Sequence, residues 1–176
     1  DVWKHSMESL RQSEILISSL ISNSESAEYL NTEISQGRKR YQLIKLAVLL
    51  HDIGKPSCRG HNGERITFYT HEKAGANLVE SIAKRLKLSS KEEAFIKTNV
   101  MGHMRPGALA DEINPSEKAI YKFMRDLGEE AGSVIITALS DWNATCGIKI
   151  DKTKRESHIK IMLGIYNLFL EKRKEK

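Results

Sequence analysis

Apolar positions fall in helical steps along most of the chain. Trp3, Met7, Leu10, Ile17 and Ile21 recur at spacings that share one helical face, which predicts a first helix reaching about Asn23. A serine- and glutamate-rich connector follows. Residues 41–53 are apolar almost all the way round, the mark of a helix buried centrally, and Gly54 and Pro56 stop it. Beyond a loop rich in glycine and charge, Thr70 is expected to cap a helix over 70–86. Ser90 with Glu93 forms a capping box for the next, which reaches about Met101. Asn114-Pro115-Ser116-Glu117 offers a second box with proline at the first helical position, and Gly128 ends the helix it opens. Two further helices are predicted over 129–145 and 151–174. Strand-like alternation is confined to 65–69, so the class is all-α.

Composition narrows this picture. A chain of 176 residues, 40% of them hydrophobic, is expected to form one domain with a real core, which excludes intrinsic disorder. The longest aliphatic run, 46–50, is far below the ~18 residues of a membrane span, and no basic-then-apolar leader opens the chain, so a soluble, unanchored protein is expected. Cys58 and Cys146 match no Cys-x-x-Cys pattern, which leaves no disulfide framework or thiolate zinc site and points to a reducing cytoplasm. The net charge of +5 sits entirely in 149–176, with nine Lys or Arg against four Asp or Glu. That segment reads as a solvated helix end or as a contact for RNA phosphates. Asp1 is no translation start, so a fragment of a longer protein is expected.

Six ionisable residues interrupt this apolar pattern. His51 and Asp52 directly follow Leu46-Ala47-Val48-Leu49-Leu50, a helix with no solvated face to hold them. His71 lies in line with Gly75, Leu78, Ile82 and Leu86; His103 continues the face of Ile96 and Val100; Asp141 lies beside Val134 and Ala138; His5 aligns with Ser9, Leu16 and Leu20. Each alone reads as a hydrogen-bonded core residue. Together they would need six separate internal solutions, at roughly 1–3 kcal/mol for each unsatisfied group. One shared metal centre satisfies all six. Imidazole and carboxylate donors suit a borderline divalent ion, and the carbonyls at the end of the buried helix favour a cation.

At these residues the sequence resembles the HD superfamily of metal-dependent phosphohydrolases, whose pattern is a first His, a His-Asp doublet and a distant Asp. The resemblance implies His5, His51, Asp52 and Asp141 as metal ligands, the doublet standing in Leu-Leu-His-Asp-Ile-Gly-Lys-Pro. Arg65-Ile66-Thr67-Phe68-Tyr69-Thr70-His71-Glu72-Lys73-Ala74-Gly75 and Gly102-His103-Met104-Arg105-Pro106 look like the HD domain that follows the nucleotidyltransferase head in bacterial CCA-adding enzymes and poly(A) polymerase-like proteins. The implied fold is a helical bundle of about six to seven helices, with an HD domain over 1–147 and a basic helix over 148–176 packed on it or extending it. A nucleotidyltransferase head is implied in the parent chain, and a tRNA contact with it. One or two divalent transition-metal ions are implied (Mn, Fe, Co, Ni or Zn, with Mg among the candidates). His71 and His103 occupy the interval where binuclear members place further ligands, although Gly102-His103 departs from their double histidine. The Gly-Tyr-Pro signature of cyclic-di-GMP hydrolases is missing, which disfavours that substrate.

The expected chemistry is hydrolysis of a nucleotide or RNA phosphoester, as a 2′,3′-cyclic phosphodiester or a phosphomonoester. Asp52 is the natural bridge and proton acceptor. Lys55, one turn after His51, reaches a phosphate or else satisfies the last helical carbonyls. Arg59 and Arg105 are candidate grips for phosphate or ribose. His61 is assigned to the loop rim, His158 to the exposed face of the last helix and Lys73 to solvent. Two alternatives stand beside this: a non-catalytic structural or RNA-docking module of the longer enzyme, and a nucleotidase or deoxynucleoside-triphosphate hydrolase of the same superfamily.

Overall fold

The computed structural model describes residues 1–112, 114–145 and 151–175; Cys146 and the expected boundary at 147/148 lie outside them. Among the described residues nine α-helices carry the fold, with two short β-hairpins. The all-α bundle is therefore the observed class.

α1 (Val2–Leu20) opens on Asp1, whose carboxylate accepts from the Trp3 amide at 2.9 Å. Its buried face differs from the expected stripe. Ser6, Ser9, Ser13 and Ile17 face inward, while Trp3 and Met7 are exposed. The cause is the partner. α1 packs along α8 (Ala131–Ala144), and the small serine side chains of its inner face allow close approach. The serine hydroxyls are satisfied within their own helices, as Ser9 donates to His5 O and Ser140 to Ile136 O.

The expected connector holds a further helix, α2 (Ser24–Asn31), capped by Asn23 and anchored by the buried Tyr29 and Leu30. A hairpin of β1 (Glu33–Ser35) and β2 (Arg38–Lys39), turning at Gly37 with φ +76°, leads into α3 (Arg40–Leu50). α3 is the central helix, with Leu43, Ile44, Ala47 and Val48 sealed from solvent. It packs against α1, α8 and α5 (Ser90–Gly102). After a 3-10 turn at Lys55–Cys58, β3 (Gly60–Asn62) and β4 (Arg65–Thr67) form the second hairpin.

α4 (His71–Arg85) begins after Thr70, which has a left-handed backbone (φ 64°) and no side-chain cap, since its hydroxyl donates to Tyr69 O. The capping box of α5 is Ser89 with Glu92, one residue earlier than the sequence suggests, because Glu92 is buried and takes Arg38 at 2.5 Å. The short α6 (Met104–Ala110) was not anticipated. α7 (Glu117–Leu127) is capped by Ser116 instead of Asn114 and stops at Gly128, with φ 53°.

α9 (Lys152–Lys174) closes the bundle over α8 and α6. Its terminal cations turn back on the protein: Arg173 pairs with Glu28 and Glu129, and Lys174 with Glu25. Among the described residues no helix is long and apolar enough to cross a membrane.

One close approach positions the site. A Cβ on Gly54 would stand 2.1 Å from His71 O and 2.5 Å from Gly75 N. Glycine at 54 thus lets the end of α3 meet the start of α4 backbone to backbone.

Candidate metal centre

Helix ends deliver the imidazoles. His51 follows the last residue of α3, His103 follows α5, and His71 is the first residue of α4. His51 Nδ1–H donates to Val48 O at 2.6 Å, and His103 Nδ1–H donates to Val100 O at 2.6 Å, so each uses a carbonyl that a helix terminus leaves free. His71 Nδ1–H donates to Phe68 O at 2.8 Å. In the neutral ring this leaves all three Nε2 atoms with an unshared pair, the tautomer a metal ligand needs.

These Nε2 atoms converge on Asp52. Its Oδ2 lies 3.4 Å from His51 and 3.6 Å from His5, and its Oδ1 lies 3.3 Å from His71 and 3.9 Å from His103. Asp141, on α8, sits 2.8 Å from His5 Nε2 and 3.5 Å from His51 Nε2. Two triads result, His5, His51 and Asp141 in one and Asp52, His71 and His103 in the other, each with donor atoms within 4.8 Å. Asp52 turns one oxygen toward each group.

Burial makes this arrangement costly without a cation. His51, Asp52 and His103 are at most 2% exposed, yet His51 Nε2 makes no well-formed hydrogen bond despite its two nearby carboxylates. Burial alone would lower the His51 pKa, but Asp141 and Asp52 override it and raise the ring to about 10. Burial would raise Asp52, but His51, His71 and Lys55 hold it well below the usual carboxylate range. Asp141 is also held low, by His5 and His51 against its burial. His103 goes the other way, to about 4, through burial and the adjacent His51 charge. The centre thus balances two carboxylates with an imidazolium and with Lys55, whose Nζ is 2.5 Å from Asp52 Oδ2. A divalent cation replaces that pair of positive charges with one and gives the orphaned Nε2 a partner. The donor set fits the group.

The centre opens into a cleft of about 870 Å³, whose lining includes Phe68, Tyr69, Met104 and Trp142. All six ionisable residues singled out in the sequence meet here, with Lys55. Arg59 and Arg105 do not line the cleft. Arg59 is exposed beyond the 3-10 turn, and Arg105 is engaged by Asp126 at 3.0 Å and lies over Phe123. Arg65 lines the cleft instead and is exposed there. In the sequence it stands at the start of the strand-like stretch and of the motif that carries the resemblance, with nothing to mark it as a cleft residue. His61 is exposed on β3 and Lys73 is exposed on α4. His158 corrects an expectation: it is buried, stacked parallel on Trp142 at 4.4 Å and 3.0 Å from Asp111, because long-range partners cover a position whose neighbours in sequence are polar.

The sequence profile of the HD domain matches residues 2–129. The chain belongs to the HD domain family. HD domains are generally metal-dependent phosphohydrolases, and the two His/Asp groups are compatible with that chemistry. Five of the six HD-domain ligand candidates fall inside the match, and Asp141 falls beyond it on α8. No curated protein matches the chain.

Proposed function

We propose that this HD domain hydrolyses phosphoesters of nucleotides or RNA ends, as 2′,3′-cyclic phosphodiesters or phosphomonoesters, within a tRNA nucleotidyltransferase or poly(A) polymerase-family protein. The observation that carries the reading is Asp52, one buried carboxylate shared between two triads and held by Lys55. His5, His51 and Asp141 would hold one divalent ion, His71 and His103 a second, and Asp52 both. Such ions polarise a phosphoryl oxygen and lower the pKa of water toward neutrality.

The residues of the chain supply the rest. Asp52, its carboxyl held well below the usual carboxylate range by His51, His71 and Lys55, stays an acceptor and orients an attacking water through a hydrogen bond. With a cation held on Asp52, Lys55 would be free to donate to a phosphate oxygen, and Arg65 stands on the same cleft as a second donor. Phe68, Tyr69, Met104 and Trp142 exclude bulk water from the ester and strengthen both contacts. A tRNA contact through the exposed Lys152 and Lys160 of α9 completes the proposal, since Arg173 and Lys174 are occupied by glutamates.

The test is a phosphoester panel with Mn, Co or Ni added, run on the wild type and Asp52→Ala. Chelator-sensitive turnover of cyclic or linear ribose phosphates is expected from the wild type alone. Equal rates from the two proteins overturn the enzymatic reading in favour of a docking module.

A further inference from the structure

Beyond the centre the cleft runs along one face of α6. Met104, Gly107, Ala108 and Asp111 recur at the spacing of a single helical face, and all four line the cleft. The middle of that face is flat: a Cβ on Gly107 would meet nothing within 4 Å, and Ala108 adds only a methyl group, as does Ala138 of α8 on the same cleft. Met104 brings an exposed thioether to the same cleft, and Trp142 and the buried Met162 line it too. A flat floor edged by sulfur and indole suits a planar ring.

At the end of this shelf stands a carboxylate that the fold holds in place. Asp111 Oδ1 lies 3.0 Å from His158 Nε2 and 3.5 Å from Lys154 Nζ. His158 is itself fixed in place: it is 3% exposed, its Nδ1 lies 2.9 Å from Lys154 O, and its ring stacks on Trp142 with 6° between planes. Among the described residues no donor takes Asp111 Oδ2, and the Asp111 side chain is 65% exposed. A buried imidazole is therefore spent on aiming one solvent-facing acceptor at the open end of an apolar shelf.

We propose that this shelf is a recognition subsite for a nucleobase bearing an exocyclic amino group. Asp111 accepts the amino hydrogen, His158 is the positioning residue behind it, and the ring lies on Gly107 and Ala108. A second phosphate is disfavoured at this end, because the polar group facing the cleft is an anion. The assignment rests on the phosphoester reading only for the end of the ligand that meets the metal centre; the shelf itself is tested without phosphate.

Adenosine, cytidine and purine riboside, which is adenosine without its amino group, are titrated into the metal-free protein and followed by tryptophan fluorescence or calorimetry. Wild-type protein is expected to bind adenosine or cytidine and to favour adenosine over purine riboside about ten-fold, the scale of a hydrogen bond to a charged group. Asp111→Ala and His158→Gln should erase that ratio, which simple destabilisation does not move. Gly107→Val should remove binding while leaving the melting temperature level or higher. Metal content should be unchanged in Gly107→Val, which separates this subsite from the metal centre. Absence of nucleoside binding, or an adenosine preference that survives Asp111→Ala, overturns the proposal and leaves the Asp111 and His158 pair as a tie between α6 and α9.

Discussion

Gly54→Ala should separate the two halves of the centre. The added methyl would lie 2.1 Å from His71 O and 2.5 Å from Gly75 N, with the Ala74 methyl next at 3.1 Å. The two nearest atoms are backbone, so no side-chain rotation relieves them, and α4 must move away from the end of α3 by on the order of 1 Å. Overpacking of this kind costs about 1–3 kcal/mol, and a clash with backbone on both sides belongs at the upper end. For 176 residues at ~2.1 cal/mol/K each, the melting entropy is about 0.37 kcal/mol/K, so about 3 kcal/mol lowers the melting temperature by about 8 °C. The same displacement carries His71 away from Asp52 Oδ1, now 3.3 Å distant, while His5, His51 and Asp141 keep their places.

Metal capacity is therefore expected to fall at the triad that contains His71, read by elemental analysis after dialysis beside a calorimetric melt. Gly164 supplies the control: it is exposed in the middle of α9 with nothing within 4 Å of an added Cβ. Gly164→Ala should leave metal content alone and raise stability by up to ~1 kcal/mol, the helix-propensity difference. A Gly54→Ala protein that melts within a degree of the wild type and binds the same metal would refute the backbone-contact argument.

Three further outcomes follow from the site and its supports. Because His51 is raised to about 10 in the metal-free protein, it carries a proton at pH 8 that a ligand must lose. Metal binding should release about one proton there, and affinity should climb with pH until about 10; calorimetry in buffers of different ionisation enthalpy measures it, and zero release counts against His51 as a ligand. Arg40 is 4% exposed, 2.6 Å from Glu130 and over the Tyr29 ring at 4.4 Å, so Arg40→Ala should cost about 3 kcal/mol in urea unfolding with metal content intact. Charge neutralisation of Lys152 and Lys160 should flatten the salt dependence of RNA binding by about 0.7 per lost phosphate contact, whereas Arg173→Gln should not change that slope.

Where sequence pattern and structure part, a long-range partner decides. The largest apolar residues of α1 mark one face, yet its serine face is the buried one, because that is the face packed along α8. Ser89 and Ser90 stand in register with Glu92 and Glu93, so periodicity cannot choose between the two boxes; Arg38, from the first hairpin, settles it by drawing Glu92 inward. α2 is short and polar, and only Tyr29 and Leu30 reveal that it has a core to join. His158 lies among lysine, serine and glutamate along the chain, and its burial comes from Trp142 and Asp111 on other helices.

The centre itself was legible for a physical reason that does not extend to the rest of the cleft. A charged or imidazole group on an apolar helix face carries a desolvation cost, and that cost is visible in one dimension as a polar residue in an apolar pattern. His5, His51, Asp52, His71, His103 and Asp141 all have it, and all six meet. Arg65 and Asp111 do not: each is exposed, each looks like any surface charge, and only the cleft they line sets them apart. Arg59 and Arg105 were as plausible in sequence, and what excludes Arg105 is Asp126, a residue of α7 with no signal linking it to the site. Ligands that the fold must compensate can be found from pattern. Groups that would meet a substrate from solvent need the cleft, whose lining takes in both the centre and the face of α6 that carries Met104, Gly107, Ala108 and Asp111.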